Sequence, residues 1–155
     1  MEERERTVRR IRAFNRFYMP LLRLLDNHYL GSEYTPTEAR VLFEIYSHDG
    51  CNAASIARVM NIDKSYLSRI IRSYEKKGYL IRAVSETDSR AYHLHLTEEG
   101  LILTKDFIQK SDQQIGEMIR SLSQKECNDL MEALDTATKI LGNCARAEET
   151  LREEQ

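Results

Sequence analysis

The sequence has no apolar run approaching the roughly 20 residues that span a bilayer. Its N-terminus, MEERERTVRRIR, mixes charges where a secretory signal would carry an apolar segment. Both absences argue against a membrane protein and make a cytoplasmic one the expectation. Cysteine is scarce: Cys51, Cys127 and Cys144 stand far apart with no C-x-x-C pair. That spacing points away from a disulfide framework and from a structural zinc site, and leaves reduced, mostly buried thiols as the expectation. There is no Gly-rich phosphate loop, no H-E-x-x-H, no G-x-S-x-G and no evident pairing of nucleophile with base, so neither an enzyme nor a cofactor is expected. Internal repeats and low-complexity tracts are also missing, and only the acidic end, EETLREEQ, is expected to fray.

What remains is a chain of 155 residues, 41% of them hydrophobic, enough for one domain with a real core. The net charge of −2 looks wrong for a nucleic-acid binder, yet it averages a strong segregation: +3 over residues 1–16, −3 over 17–57, +4 over 58–97 and −6 over 98–155. Surface charges are screened beyond about 8 Å at physiological salt, so a basic block flanked by acidic ones can still meet phosphates.

Helical signals dominate. In IRAFNRFYMPLLRLLDNHYL, apolar residues from Ile11 to Leu25 recur at spacings of three and four, with Pro20 as a kink or boundary. Thr35, Pro36 and Glu38 announce the next helix with a capping box and a proline at its first position. A short helix follows Asn52, and a turn of NID leads to another helix capped by Asp63 and closed by Gly78. Two helices joined this closely are a helix-turn-helix candidate. The segments YLIRAV and AYHLHL around a polar SETDSR read as a β-hairpin. Beyond Thr97 two long helices are expected, the second opened by a Ser123/Glu126 capping box. The fold class is therefore mainly α with a small β-hairpin wing, in one structural domain with three regions. These are an N-terminal helix (1–34), a winged helix-turn-helix (35–97) and C-terminal helices (98–155).

The stretch SYLSRIIRSYEKKG, residues 65–78, carries the most chemistry. Leu67, Ile70, Ile71 and Tyr74 form one apolar stripe, and burying it turns Lys64, Ser65, Tyr66, Ser68, Arg69 and Arg72 outward. Arginine can pair bidentately with a guanine edge, and hydroxyls donate to bases or phosphates. Ser65, Tyr66, Ser68 and Arg69 are the candidates for base readout, with Lys64, Arg72, Lys76 and Lys77 on phosphates. The bland alternative is a solvated basic face. In the wing, Asp88, Ser89 and Arg90 place an arginine at a hairpin tip, where it could enter a narrow minor groove with Asp88 holding its guanidinium.

DKSYLSRIIRSYEKKGYL, then Asp88 and Arg90 as a D-x-R wing, then Leu96, Thr97 and Gly100 as an L-T-x-x-G helix start, resemble the MarR (multiple antibiotic resistance regulator) transcription factors over about residues 9–145. IRAFNRFY and YTPTEARVLFEIY look in particular like the regulator half of proteins in which a MarR-type domain is fused to an N-acetyltransferase. The resemblance implies a homodimeric binder of double-stranded DNA, most often a repressor, whose first and last two helices interlock between subunits. It further implies release of DNA by a small, often aromatic or phenolic, anion. Phe14, Tyr18, Met19, His28 and Tyr46 could line such an effector pocket, although apolar residues at helical spacing are more often plain core.

Independently of the family, the apolar faces around residues 9–28 and from 98 onward, with Leu101, Phe107, Ile115, Leu134 and Ile140 among them, exceed what a small winged-helix core can cover. They point to a homodimer on a pseudo-palindromic operator. The alternative reading is a winged-helix protein-interaction module that has lost DNA binding. His93 and His95 share a face of a predicted strand, which could suit a metal, but with no third ligand evident two solvated histidines are the expectation. Cys51 just ahead of a helix N-terminus could favour a thiolate; without a partner cysteine, redox sensing is not expected.

Overall fold

The computed structural model describes residues 1–88 and 91–153. Among the described residues six α-helices and one hairpin follow one another: α1 (Glu2–Leu21), α2 (Pro36–Ser47), α3 (Ala53–Met60), α4 (Lys64–Lys76), β1 (Leu80–Val84), β2 (Tyr92–Leu96), α5 (Glu98–Ile119) and α6 (Gln124–Glu153), with a 3-10 turn at Tyr29–Gly31. This is the mainly helical fold with a hairpin wing that the sequence implied.

Local signals set the boundaries. Thr35 and Glu38 form the complete capping box at α2: the Glu38 N–H donates to the Thr35 hydroxyl at 3.2 Å, and the Thr35 N–H donates back to the Glu38 carboxylate at 3.3 Å. Asn52 caps α3 through the Ser55 N–H at 2.8 Å, and Asp63 caps α4 through the Tyr66 N–H at 3.0 Å. Asn61 takes the left-handed conformation (φ 49°) between them, which Asn tolerates better than most residues and which makes so short a turn possible. Ser123 and Glu126 cap α6. Pro20 sits in the last turn of α1, and the helix ends one residue later.

The chain divides into two compact units, Met1–Gln114 and Ile115–Gln155. The boundary lies inside α5, whereas the sequence pattern placed one at 97/98. In the first unit the core gathers Val41, Leu42 and Ile45 of α2, Ile56 and Ala57 of α3, the underside of α4, Leu80 and Leu94 of the hairpin, Tyr34 and Phe107. Phe107 therefore belongs to the intrachain core, not to a partner-facing stripe; its ring stands 6.0 Å from Tyr34 and 6.1 Å from Tyr29. α1 contributes no buried residue, and Phe14, Phe17 and Leu25 are more than half exposed. In the second unit no described residue is fully buried, and Leu134, Ile140 and Leu141 stand exposed along α6.

The strands pair antiparallel with Leu80 opposite Leu96 and Val84 opposite Tyr92. A short third partner escapes sequence reading: Gly50 N–H donates to Leu94 O and Leu94 N–H to Cys51 O, both at 2.9 Å. Residues 50–51 thus extend the hairpin by a bridge too short for any periodicity to reveal.

Candidate nucleic-acid interface

Helix α4 is seated by Leu67, Ile70, Ile71 and Tyr74, each 5% exposed or less. Burying each contributes about 1.5–3 kcal/mol, which fixes the rotation of the helix and hence what it turns outward. Lys64, Ser65, Arg69, Arg72 and Lys76 are exposed; Tyr66 and Ser68 are half-buried. The Arg69 guanidinium lies over the Tyr66 ring at 6.0 Å, and Arg72 donates to the Ser68 hydroxyl at 3.2 Å. Ser68 and Arg72 therefore act as a pair rather than singly. Lys77 leaves the stripe: its ammonium lies 4.7 Å from the Tyr34 ring centroid and 3.9 Å from the Glu33 carboxylate.

Behind this face, Glu75 receives both Nε and Nη2 of Arg82 on β1, at 3.0 and 2.6 Å. That engagement removes Arg82 from the free cations of the wing. Asp88 is exposed and its carbonyl accepts the Ala91 N–H at 3.0 Å. Ser89 and Arg90, the other wing candidates, lie outside the described residues.

The C-terminal end of α4 is fastened to the start of α5. The Thr97 hydroxyl donates to Gly78 O at 2.6 Å and accepts the Gly100 N–H at 3.1 Å, while the Thr97 N–H donates to Tyr79 O at 3.0 Å. Gly100 is buried, and a Cβ there would stand 1.9 Å from the Tyr79 carbonyl oxygen. Only glycine allows this approach, which gives the L-T-x-x-G pattern a physical reason in this chain.

Residues 34–92, from the start of α2 to the wing, match the MarR family model. Over those residues the chain resembles the MarR family. PetP of Rhodobacter capsulatus, an HTH-type transcriptional regulator, is 30% identical over 54% of this chain and 48% of its own length. The chain spans less than half the length of the first curated relatives it matches. MhqR of Bacillus subtilis, also an HTH-type transcriptional regulator, is 25% identical over 90% of this chain and 98% of itself. Among solved structures, Streptococcus pneumoniae FabT in complex with DNA shares the fold with a TM-score of 0.68, at 17% identity over 93% of this chain and 99% of that one.

A cavity of about 360 Å³ opens beside α2, lined by Leu24, Tyr29, Arg40, Phe43, Thr104 and Phe107 among others. None of the five residues proposed from sequence for an effector pocket lines it. Phe14 and Tyr18 stack on each other at 5.2 Å, with Met19 half-buried next to them in α1; His28 Nδ1 bonds Ser32 O at 3.2 Å; Tyr46 packs on Phe43 at 6.4 Å.

Also on α2, Glu44 is a buried carboxylate that no periodicity argument selected. Its Oε1 takes Nε and Nη2 of Arg40, each at 2.6 Å, and its Oε2 is 3.9 Å from His48 Nδ1. The 40/44/48 spacing was the available signal. Cys51 lines a smaller cavity with Glu44 and His48. Burial pushes its thiol above the ordinary value, Glu44 and Asp49 add to that, and one backbone hydrogen bond opposes. This is the reverse of the thiolate that its position ahead of α3 suggested. None of the three cysteines is fully buried: Cys51 and Cys127 are half-buried and Cys144 is exposed, and no described residue of α6 is buried.

Proposed function

We propose that the chain is a sequence-specific regulator of transcription that binds double-stranded DNA as a homodimer, with α4 in the major groove and the wing around Asp88 and Arg90 in the adjacent minor groove. One observation carries this reading. Lys64, Arg69, Arg72 and Lys76 all stand exposed on the outer face of α4, and no carboxylate among the described residues forms a salt bridge with any of them. A cationic stripe on a rigidly seated helix suits phosphates flanking a groove, with Arg69 placed for a base edge. The naming of PetP and MhqR as transcriptional regulators and the DNA held by FabT support it.

The homodimer rests on the apolar residues that the chain leaves exposed along α1 and along α6. Its two-fold symmetry calls for a pseudo-palindromic operator with half-sites about 10–10.5 base pairs apart. Regulation by a small aromatic or anionic effector fits the cavity beside Tyr29, Phe107 and Arg40. Repression relieved by such an effector is the mode of action proposed.

Fluorescence anisotropy of the purified protein tests the reading, on a labelled duplex from upstream of its own gene against scrambled DNA, at two salt concentrations. Preferred binding that weakens steeply with salt is the expected result, because each phosphate contact releases counterions. Absence of binding at low salt overturns it in favour of a protein-docking winged helix.

A further inference from the structure

We propose that His93 and His95 form a divalent transition-metal site on the wing, with the α2–α3 turn as its outer shell. The two residues alternate with Leu94 on β2, so their side chains leave the same face of the strand. Each ring is held by an acceptor that cannot donate: His93 Nδ1 lies 2.8 Å from Gly50 O, and His95 Nδ1 lies 2.9 Å from Asp49 Oδ1. Both Nδ1 atoms must therefore carry the hydrogen. In each neutral ring the lone pair then resides on Nε2, for which no described residue provides a hydrogen bond. A carbonyl on one imidazole and a carboxylate on the other is the outer arrangement that metal-ligating histidines use to fix tautomer and ring direction.

The turn is shaped for this role. Gly50 adopts φ +78°, the left-handed region that favours glycine, and a Cβ there would stand 3.4 Å from the His95 Cε1, at van der Waals contact. Across the hairpin, His93 faces Ala83 and His95 faces Ile81, and neither neighbour carries a charge to repel a cation. His93 is exposed and the His95 side chain is 35% exposed, which leaves a path for entry.

Imidazole nitrogen suits zinc, nickel and copper ions. Among the described residues no group of three or more histidine, cysteine or carboxylate side chains could hold a metal. Water must fill the remaining positions, and the site is one of modest, exchangeable affinity, unlike a closed structural zinc centre. The inference stands independently of the DNA-binding reading.

Isothermal titration of untagged full-length protein with zinc chloride tests it, with thermal melts to check that each variant is folded. One ion per chain is expected. His93→Gln and His95→Gln each weaken binding by about ten-fold or more, and Asp49→Asn, which leaves both ligands in place, weakens it by about 10- to 100-fold. Because Gln keeps a polar side chain at the turn, loss of binding with an unchanged melt separates ligation from folding. Wild-type affinity in the His93→Gln/His95→Gln double variant overturns the site, as does binding that disappears only in Cys51→Ser, which would place the ion in the neighbouring cavity.

Discussion

Adding one methyl group at Gly100 perturbs the chain where α4, β1 and α5 meet. The Cβ of Gly100→Ala would stand 1.9 Å from Tyr79 O, 2.8 Å from its carbonyl carbon and 3.2 Å from its Cα. A carbon-to-oxygen contact relaxes only near 3.3 Å, so the first turn of α5 must retreat from the 78–80 backbone by roughly 1.4 Å. No flexible side chain can absorb this, since all three atoms are backbone. The retreat stretches the Thr97 bonds to Gly78 O and Tyr79 O, which anchor the end of α4. Overpacking a well-packed core costs 1–3 kcal/mol, and a backbone clash places Gly100→Ala at about 3 kcal/mol. In a chain of this size that lowers Tm by roughly 6–12 °C. Gly142→Ala in α6 is the matched control: nothing lies within 4 Å of its Cβ position. Replacing a mid-helix glycine there raises stability by about 0.5–1 kcal/mol. Circular-dichroism melts of the two variants decide the matter. A Gly100→Ala protein that melts with the wild type would refute the close approach, and a destabilised Gly142→Ala would mean that a partner chain packs on that stretch of α6.

Arg69→Ala removes the arginine best placed for a base edge and should weaken operator binding by about 1–3 kcal/mol without shifting the melt; unchanged anisotropy would leave the outer face of α4 a solvated surface. The buried Tyr74 hydroxyl has no hydrogen-bond partner among the described residues, and burial pushes its pKa far above the ordinary tyrosine range. Tyr74→Phe should therefore leave urea stability unchanged or raise it by about 1 kcal/mol, and a clear loss would reveal a partner for that hydroxyl. The Cys51 thiol, raised by burial, lends stability that is complete below the ordinary thiol range and lost as pH rises through the folded-state value. Stability should thus fall on the alkaline side, less so in Cys51→Ala, and iodoacetamide should label exposed Cys144 before Cys51; the opposite order of labelling would contradict the burial.

The elements were legible because their signals are local. Thr35, Asn52, Asp63 and Ser123 each cap a helix using only residues within three positions, so a linear reading finds them. The seat of α4 was legible for the same reason: four apolar residues at helical spacing can turn only one way. Features joining distant segments escaped. The bridge from 50–51 to Leu94, the Asp49 and Gly50 partners of the two histidines and the Tyr79 contact of Gly100 all depend on which loops meet in space. The cavity beside α2 draws its lining from α2, α5 and the 24–29 connection, which no local spacing brings together.

The position of the outward face of α4 is thus fixed by three separate fastenings. The apolar underside sets its rotation, the Thr97 and Gly100 junction sets where its C-terminal end lies, and the Glu75 pair with Arg82 ties its back to the hairpin. None of these residues belongs to the cationic stripe itself. Changes at Lys64, Arg69, Arg72 or Lys76 should therefore alter affinity for nucleic acid while leaving the melt in place, since surface substitutions away from caps and cores usually stay within about 0.5 kcal/mol. Changes at the fastenings should move both quantities together. Glu75→Gln separates the two classes most sharply. It breaks a half-exposed ion pair of the kind worth about 0–1 kcal/mol, yet it frees the Arg82 guanidinium beside the wing. A small loss of stability with a gain in salt-dependent binding is the expected result. A loss of both would mean that the pair serves the seating of the helix more than the charge of its surface.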